Sequence, residues 1–197
     1  MKTIVIVGAG GAGRGVLEVI EAINAAGRIW AFLGYVDDDA SKGSLCGLPD
    51  LDTSGAEYYS ISIADPRIRA RADTDAISPA VLVHPSAVLA DSVTPEVGLV
   101  VRANASVAPK VVFGRHNYVN MNVTIGHDVR LHDYVTIHPG ANVSGYVQLL
   151  EGVTLGAGSV VLPNVRVGSY AYVGAGSVVT RDVPDGATVI GAPARPR

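Results

Sequence analysis

The chain has 197 residues, 48% hydrophobic, 17% charged and 6% aromatic, with a formal net charge of −3. That length holds one large or two small domains, and a slightly acidic chain with no Lys/Arg cluster lacks the footprint of a nucleic-acid binder. Cys46 is the only cysteine, so no intramolecular disulfide can form and a reducing cytoplasm is expected; the first apolar run is too short for a signal peptide or for the ~20 residues of a membrane span.

Residues 3–7 form a β-branched run that predicts a strand, followed at once by Gly8-Ala9-Gly10-Gly11-Ala12-Gly13. Val16, Leu17, Val19, Ile20 and Ile23 then recur at helical spacing until Gly27. Residues 30–36 predict a second strand, closed by Asp37-Asp38-Asp39, and residues 56–63 a third. Asp65 is a fitting N-cap with Pro66 at the first helical position, so a second helix is expected from there to about Ala76. Gly8, Gly10 and Gly13 match G-x-G-x-x-G between a strand and a helix. That geometry brings backbone N–H groups to a phosphate, and it equally serves a tight turn. Only one half of a dinucleotide fold fits before residue 83, which disfavours NAD and favours a mononucleotide-sized ligand. Asp37 and Asp38 suit a ribose, a base or an amino group, and also a solvated loop. The join at residues 79–85 contains no Gly/Ser linker, so packed rather than tethered domains are expected.

From Val83 the pattern changes. Every sixth residue up to Val179 is aliphatic or aromatic except Pro95, and the fifth position of each hexapeptide is small or β-branched almost throughout, Leu99 and Asn117 excepted. Neither the helical period of 3.6 nor the strand period of 2 gives this, whereas a parallel β-solenoid does. Three hexapeptides per turn predict nearly six coils and a prism ~27 Å tall at the usual strand spacing. Nothing interrupts the register, so a catalytic surface must come from coil faces and corners, and flat sides of this kind favour oligomers. The period does not fix the handedness.

The hexapeptides resemble those of the left-handed β-helix acyltransferases. Together with the glycine run ending in Arg14, Tyr35-Val36-Asp37-Asp38-Asp39, His84-Pro85-Ser86-Ala87, Ile125-Gly126-His127-Asp128 and Gly191-Ala192-Pro193-Ala194-Arg195, the chain resembles the NeuD/PglD group of bacterial sugar acetyltransferases. The resemblance implies a Rossmann-like nucleotide-sugar-binding domain over residues 1–80 and a β-helix acetyltransferase domain over residues 81–197. It implies an acetyl-CoA-dependent enzyme, a homotrimer with active sites between subunits, and no metal. His127 is implied as general base and Asp128 as its support. The chemistry suits them: imidazole titrates near neutral pH, and a carboxylate beside it favours the protonated form. Gly145 stands eighteen residues above His127, and the resemblance makes its N–H the oxyanion donor. Acetyl-CoA is implied to pass Thr136, Gly145, Ala157, Ala175 and Arg195, and the nucleotide sugar to meet Gly8, Gly10, Gly11, Ala12, Asp37, Asp38 and Ala64. The chain departs from the group at Thr136, where some members carry a histidine, and at Ala12, where many carry a larger residue. The alternatives are a sialic-acid-like O-acetyltransferase and a metal-dependent or non-catalytic β-helix. His127 and His132 have a spacing seen in zinc-binding β-helices, but no third ligand lies at coil-equivalent positions below them. His116, His132 and His138 are expected at the surface or in an interface.

Overall fold

The computed structural model describes residues 1–197. Strand β1 (Lys2–Val7) leads into helix α1 (Gly11–Gly27), β2 (Trp30–Val36), β3 (Tyr58–Ile61), helix α2 (Pro66–Ala72) and a short β4 (Ser78–Pro79). The four strands are parallel in the order β2-β1-β3-β4. β1 is central, which is why Ile4, Val5, Ile6 and Val7 are all buried and the segment reads as a continuous apolar run. α1 buries Val16, Val19 and Ile20, three and four residues apart, as one apolar helical stripe.

Asp65 caps α2, its carboxylate accepting from the N–H groups of Arg67 (2.8 Å) and Ile68 (3.3 Å). The helix stops at Ala72, short of the expected Ala76. Asp73 leaves it with ψ 132° because its carboxylate is engaged by Tyr59, Arg115, His116 and Tyr134, three of which belong to the solenoid.

From Leu82 the chain winds as a three-faced parallel solenoid of two-residue strands. Successive layers pair eighteen residues apart, as in Thr124↔Asn142 and Thr136↔Thr154. First and fifth hexapeptide positions point inward, and one cluster of 28 buried residues runs from Val93 to Val189, giving the solenoid a continuous core of its own. One face stacks seven parallel strands, from Leu82–Val83 to Thr188–Ile190, rather than the expected six layers. The count was low because the last coil is shorter: Tyr172 pairs with Thr188 and Val167 with Val183, sixteen residues on, so the repeat of eighteen ends before the solenoid does. At Pro95 the solenoid has no strand, consistent with a residue that cannot donate to a ladder.

The corners obey a second rule. Every fourth hexapeptide position from Gly98 to Gly176 has positive φ, held by Gly, Asn, Asp, Lys, His or Tyr. Gly, Asn and Asp adopt this left-handed conformation at lowest cost.

The two parts share an apolar seam. Ile4, Ile6, Val16, Val19 and Ile20 pack in one buried cluster with Leu82, Val100 and Tyr118 of the solenoid. Beside it lies a polar seam: the Arg67 guanidinium stacks on Tyr170 at 4.1 Å, and Arg115 pairs with Asp73 at 2.9 Å.

Candidate functional site

Three places in the molecule carry chemistry. The first is the corner between strands Thr124–Ile125 and Arg130–Leu131. Neighbouring residues on a strand face opposite ways, but Asp128 has φ 58°, and this turns its side chain back toward the preceding one. His127 Nδ1 lies 2.9 Å from Asp128 Oδ2. A carboxylate only accepts, so Nδ1 carries the proton and Nε2 is left with its lone pair. The ring is half exposed, and Tyr146 meets it edge-on with centroids 5.0 Å apart. Gly145 lies one coil up, against the ring: a Cβ there would stand 2.9 Å from His127 Cε1 and Nε2. The N–H of Gly145 donates to no acceptor in the chain.

The second place is a pocket of about 240 Å³ between the two parts. Gly11, Ala12 and Ala64 line it from the N-terminal side, and Arg102, Asn120, Thr136 and His138 from the solenoid. α1 opens on this pocket with Gly10 as N-cap and no side chain capping the exposed N–H groups. Thr136 is buried, its Oγ1 accepting from Arg69 at 2.8 Å. Arg69 itself is buried and also donates to the carbonyls of Ile63 and Tyr134. Burial pulls its guanidinium down to about 10, so it remains a cation at neutral pH beneath the pocket wall.

The third place is a cleft of about 290 Å³ at the ends of β1 and β2, lined by Gly8, Asp37, Asp38 and Lys42. Asp37 accepts from the Ala9 N–H at 2.9 Å and pairs with Lys42 at 3.0 Å. The Ala9 bond leads the effects that hold its carboxyl below the ordinary range. Asp38 accepts from the Leu48 N–H at 2.8 Å. These carboxylates therefore shape the cleft as well as line it. Gly13 is needed for packing: a Cβ there would lie 2.1 Å from the Gly8 carbonyl oxygen. Gly10 faces open space, with nothing within 4 Å of a Cβ.

The structure thus gathers His127, Asp128 and Gly145 at one corner, Gly11, Ala12, Ala64 and Thr136 in the pocket, and Gly8, Asp37 and Asp38 in the cleft. Ala157 and Ala175 sit on exposed corners of another edge, where Gly176 N–H donates to the Ala157 carbonyl at 2.8 Å. Arg195 is exposed on a closing antiparallel strand. His116 is not at the outer surface: it is buried between the two parts, Nε2 bonded to Asp73 at 2.9 Å and Nδ1 without a partner. Burial, opposed by the Asp73 charge, holds its imidazole below the ordinary value. Arg69, Asp73, Arg102 and Tyr134 escaped the reading of the sequence. His116 and Tyr134 are fourth-position residues, which the left-handed corner rule singles out.

A family model described as the PglD N-terminal domain matches residues 3–72, and one for the bacterial transferase hexapeptide (six repeats) matches residues 146–181. The GDP-perosamine N-acetyltransferase of Escherichia coli O157:H7 is 30% identical over 155 residues, covering 72% of this chain and 70% of that protein. The chain belongs to the NeuD/PglD-type family of acetyltransferases. The acetyltransferase domain of PglB from Neisseria gonorrhoeae FA1090 superposes over all of both chains with TM-score 0.91 at 30% identity. The same domain in complex with acetyl coenzyme A gives 0.90 at 31% identity, over 100% of this chain and 99% of that one. PerB from Caulobacter crescentus, in complex with CoA and GDP-perosamine, gives 0.86 at 30% identity, over 100% and 98%. The solenoid is accordingly the left-handed β-helix of these acetyltransferases.

Proposed function

We propose that this acetyltransferase moves the acetyl group of acetyl-CoA to the amine of a nucleotide-linked amino sugar, with His127 as general base. The observation that carries the reading is the corner itself. Asp128 fixes the protonated Nδ1 of His127, leaving Nε2 to receive a proton, and Gly145 offers an unpaired N–H beside the same ring. The amine nitrogen attacks the thioester carbonyl carbon as His127 Nε2 takes its proton. The oxyanion of the tetrahedral intermediate accepts from the Gly145 N–H. When it collapses the C–S bond breaks, and the imidazolium returns the proton to the departing thiolate.

Residues 1–80 hold the nucleotide in this reading, the cleft at Gly8, Asp37 and Asp38 taking the base and ribose and the pocket at Gly11, Ala12 and Ala64 taking the sugar. The solenoid over residues 81–197 supplies the transfer corner and the acetyl-CoA groove, along Ala157, Ala175 and Arg195. His127 lines neither the pocket nor the cleft of its own chain. A second copy therefore has to bring its corner to the pocket, and we propose a homotrimer with sites between subunits. The exposed Val88, Val112 and Tyr172 on solenoid faces, with exposed Tyr146 at the corner beside His127, support such contacts. The acceptor proposal draws on the GDP-perosamine named for two relatives.

Thiol release from acetyl-CoA, measured across GDP-, UDP- and dTDP-linked amino sugars, tests the reading, with light scattering for the oligomer. A hydroxylamine-labile product would point to an ester and move the acceptor from amine to hydroxyl.

A further inference from the structure

His138 stands apart from the other histidines. His84 is bonded to Ser86, His116 to Asp73 and His127 to Asp128, while His132 is exposed. The ring of His138 makes no hydrogen bond in the protein, yet it is partly buried and lines the pocket between the two parts. Both ring nitrogens are left without a protein partner on the wall of the pocket, where a ligand that displaces solvent can meet them. Burial, helped by the Arg69 charge, lowers its pKa, so at neutral pH it carries one donor and one acceptor and no charge. The pocket, at about 240 Å³, is below the roughly 300–1,000 Å³ of sites for drug-sized ligands, so it accommodates one ring-sized fragment and not a whole nucleotide sugar or acetyl-CoA.

We propose that His138 is a specificity-determining residue for the acceptor: its free ring nitrogens exchange hydrogen bonds with a hydroxyl of the sugar seated in the interdomain pocket. The proposal rests on the reading of that pocket as the sugar's compartment. Arg102 donates to Asn120 Oδ1 at 3.1 Å and to Glu18 at 2.7 Å, which leaves Asn120 only its amide NH2, a donor with no free acceptor, whereas His138 offers one of each. Thr136 is committed to Arg69. His138 is thus the one imidazole in the pocket wall available to read a hydroxyl.

The test compares wild type with His138→Leu, which keeps bulk and removes both nitrogens, and His138→Gln, which restores a donor and an acceptor. Initial rates are measured with GDP-perosamine, and with UDP- and dTDP-linked amino sugars, against acetyl-CoA. We expect His138→Leu to raise KM for the accepted nucleotide sugar about 10-fold, the scale of one lost neutral hydrogen bond. KM for acetyl-CoA and inhibition by the matching nucleoside diphosphate should not change, and His138→Gln should return KM to within about 3-fold of wild type. A merely structural role would move all three parameters together and defeats the proposal. An unchanged acceptor KM in His138→Leu, or a change confined to acetyl-CoA, also overturns it while leaving the acetyltransferase reading intact. If wild type itself acetylates none of the nucleotide sugars, the reading of the pocket falls and the proposal with it.

Discussion

Replacing Gly145 with alanine adds one methyl group beside the His127 ring. That methyl carbon would stand 2.9 Å from Cε1 and Nε2. Non-bonded carbon atoms rest about 3.5 Å apart or more, so the ring must recede by about 0.6 Å. Catalytic groups need to hold position within roughly 0.5 Å, and a 1 Å displacement costs on the order of 100-fold. We therefore expect Gly145→Ala to lower kcat about 10- to 100-fold. Stability should hardly change. Gly145 is not among the residues with positive φ, and the half-exposed ring can swing into solvent. A stability change under about 1 kcal/mol is expected in urea unfolding, as for surface substitutions. Thiol release from acetyl-CoA measures the first quantity. A folded Gly145→Ala variant with kcat within 2-fold of wild type refutes the reasoning, as does an activity loss explained by unfolding.

Asp73→Ala strips the partner from Tyr59, Tyr134, Arg115 and buried His116, and should cost about 3–5 kcal/mol in urea unfolding; a loss below 1 kcal/mol contradicts the role of this seam. Gly13→Ala meets the Gly8 carbonyl at 2.1 Å, a backbone contact that cannot swing away, and should cost about 3 kcal/mol, whereas Gly10→Ala, with open space around it, should stay within about 1 kcal/mol by thermal unfolding. Stability should also fall on acidification. His116 and His138 have folded pKa values below the ordinary one, so their contribution is full above about pH 6.5 and is lost as pH drops. Burial raises the Asp73 carboxyl, but bonds from Tyr134 and Tyr59, the His116 charge and Arg115 outweigh it and hold the group at about 2, so a further loss runs from about pH 4 down to 2. A urea midpoint that rises between pH 7 and 5.5 contradicts this.

The solenoid was legible because its core repeats in step with the chain. Val107, Ile125, Val143 and Val161 occupy the same register place and are all buried on one face. Gly145 falls above His127 by the same counting. The His127–Asp128 pair was visible as residues but not as a contact, since it needs the left-handed corner at Asp128. What the sequence hid lies between the two parts. Asp73 meets His116 and Tyr134 across 43 and 61 residues of chain, a juxtaposition set by how α2 docks on the solenoid and not by any local period. The same docking covered outward-facing Thr136 with Arg69 and put His138 on a pocket wall.

The most direct test of the central claim is thiol release from acetyl-CoA with a nucleotide-linked amino sugar, comparing wild type with His127→Ala. Wild type should turn over at least one of the GDP-, UDP- or dTDP-linked sugars, and the variant should lose about 10²- to 10⁴-fold in kcat, the usual worth of a general base. A folded His127→Ala enzyme with wild-type turnover, or a wild type that acetylates none of these amines, would contradict the account.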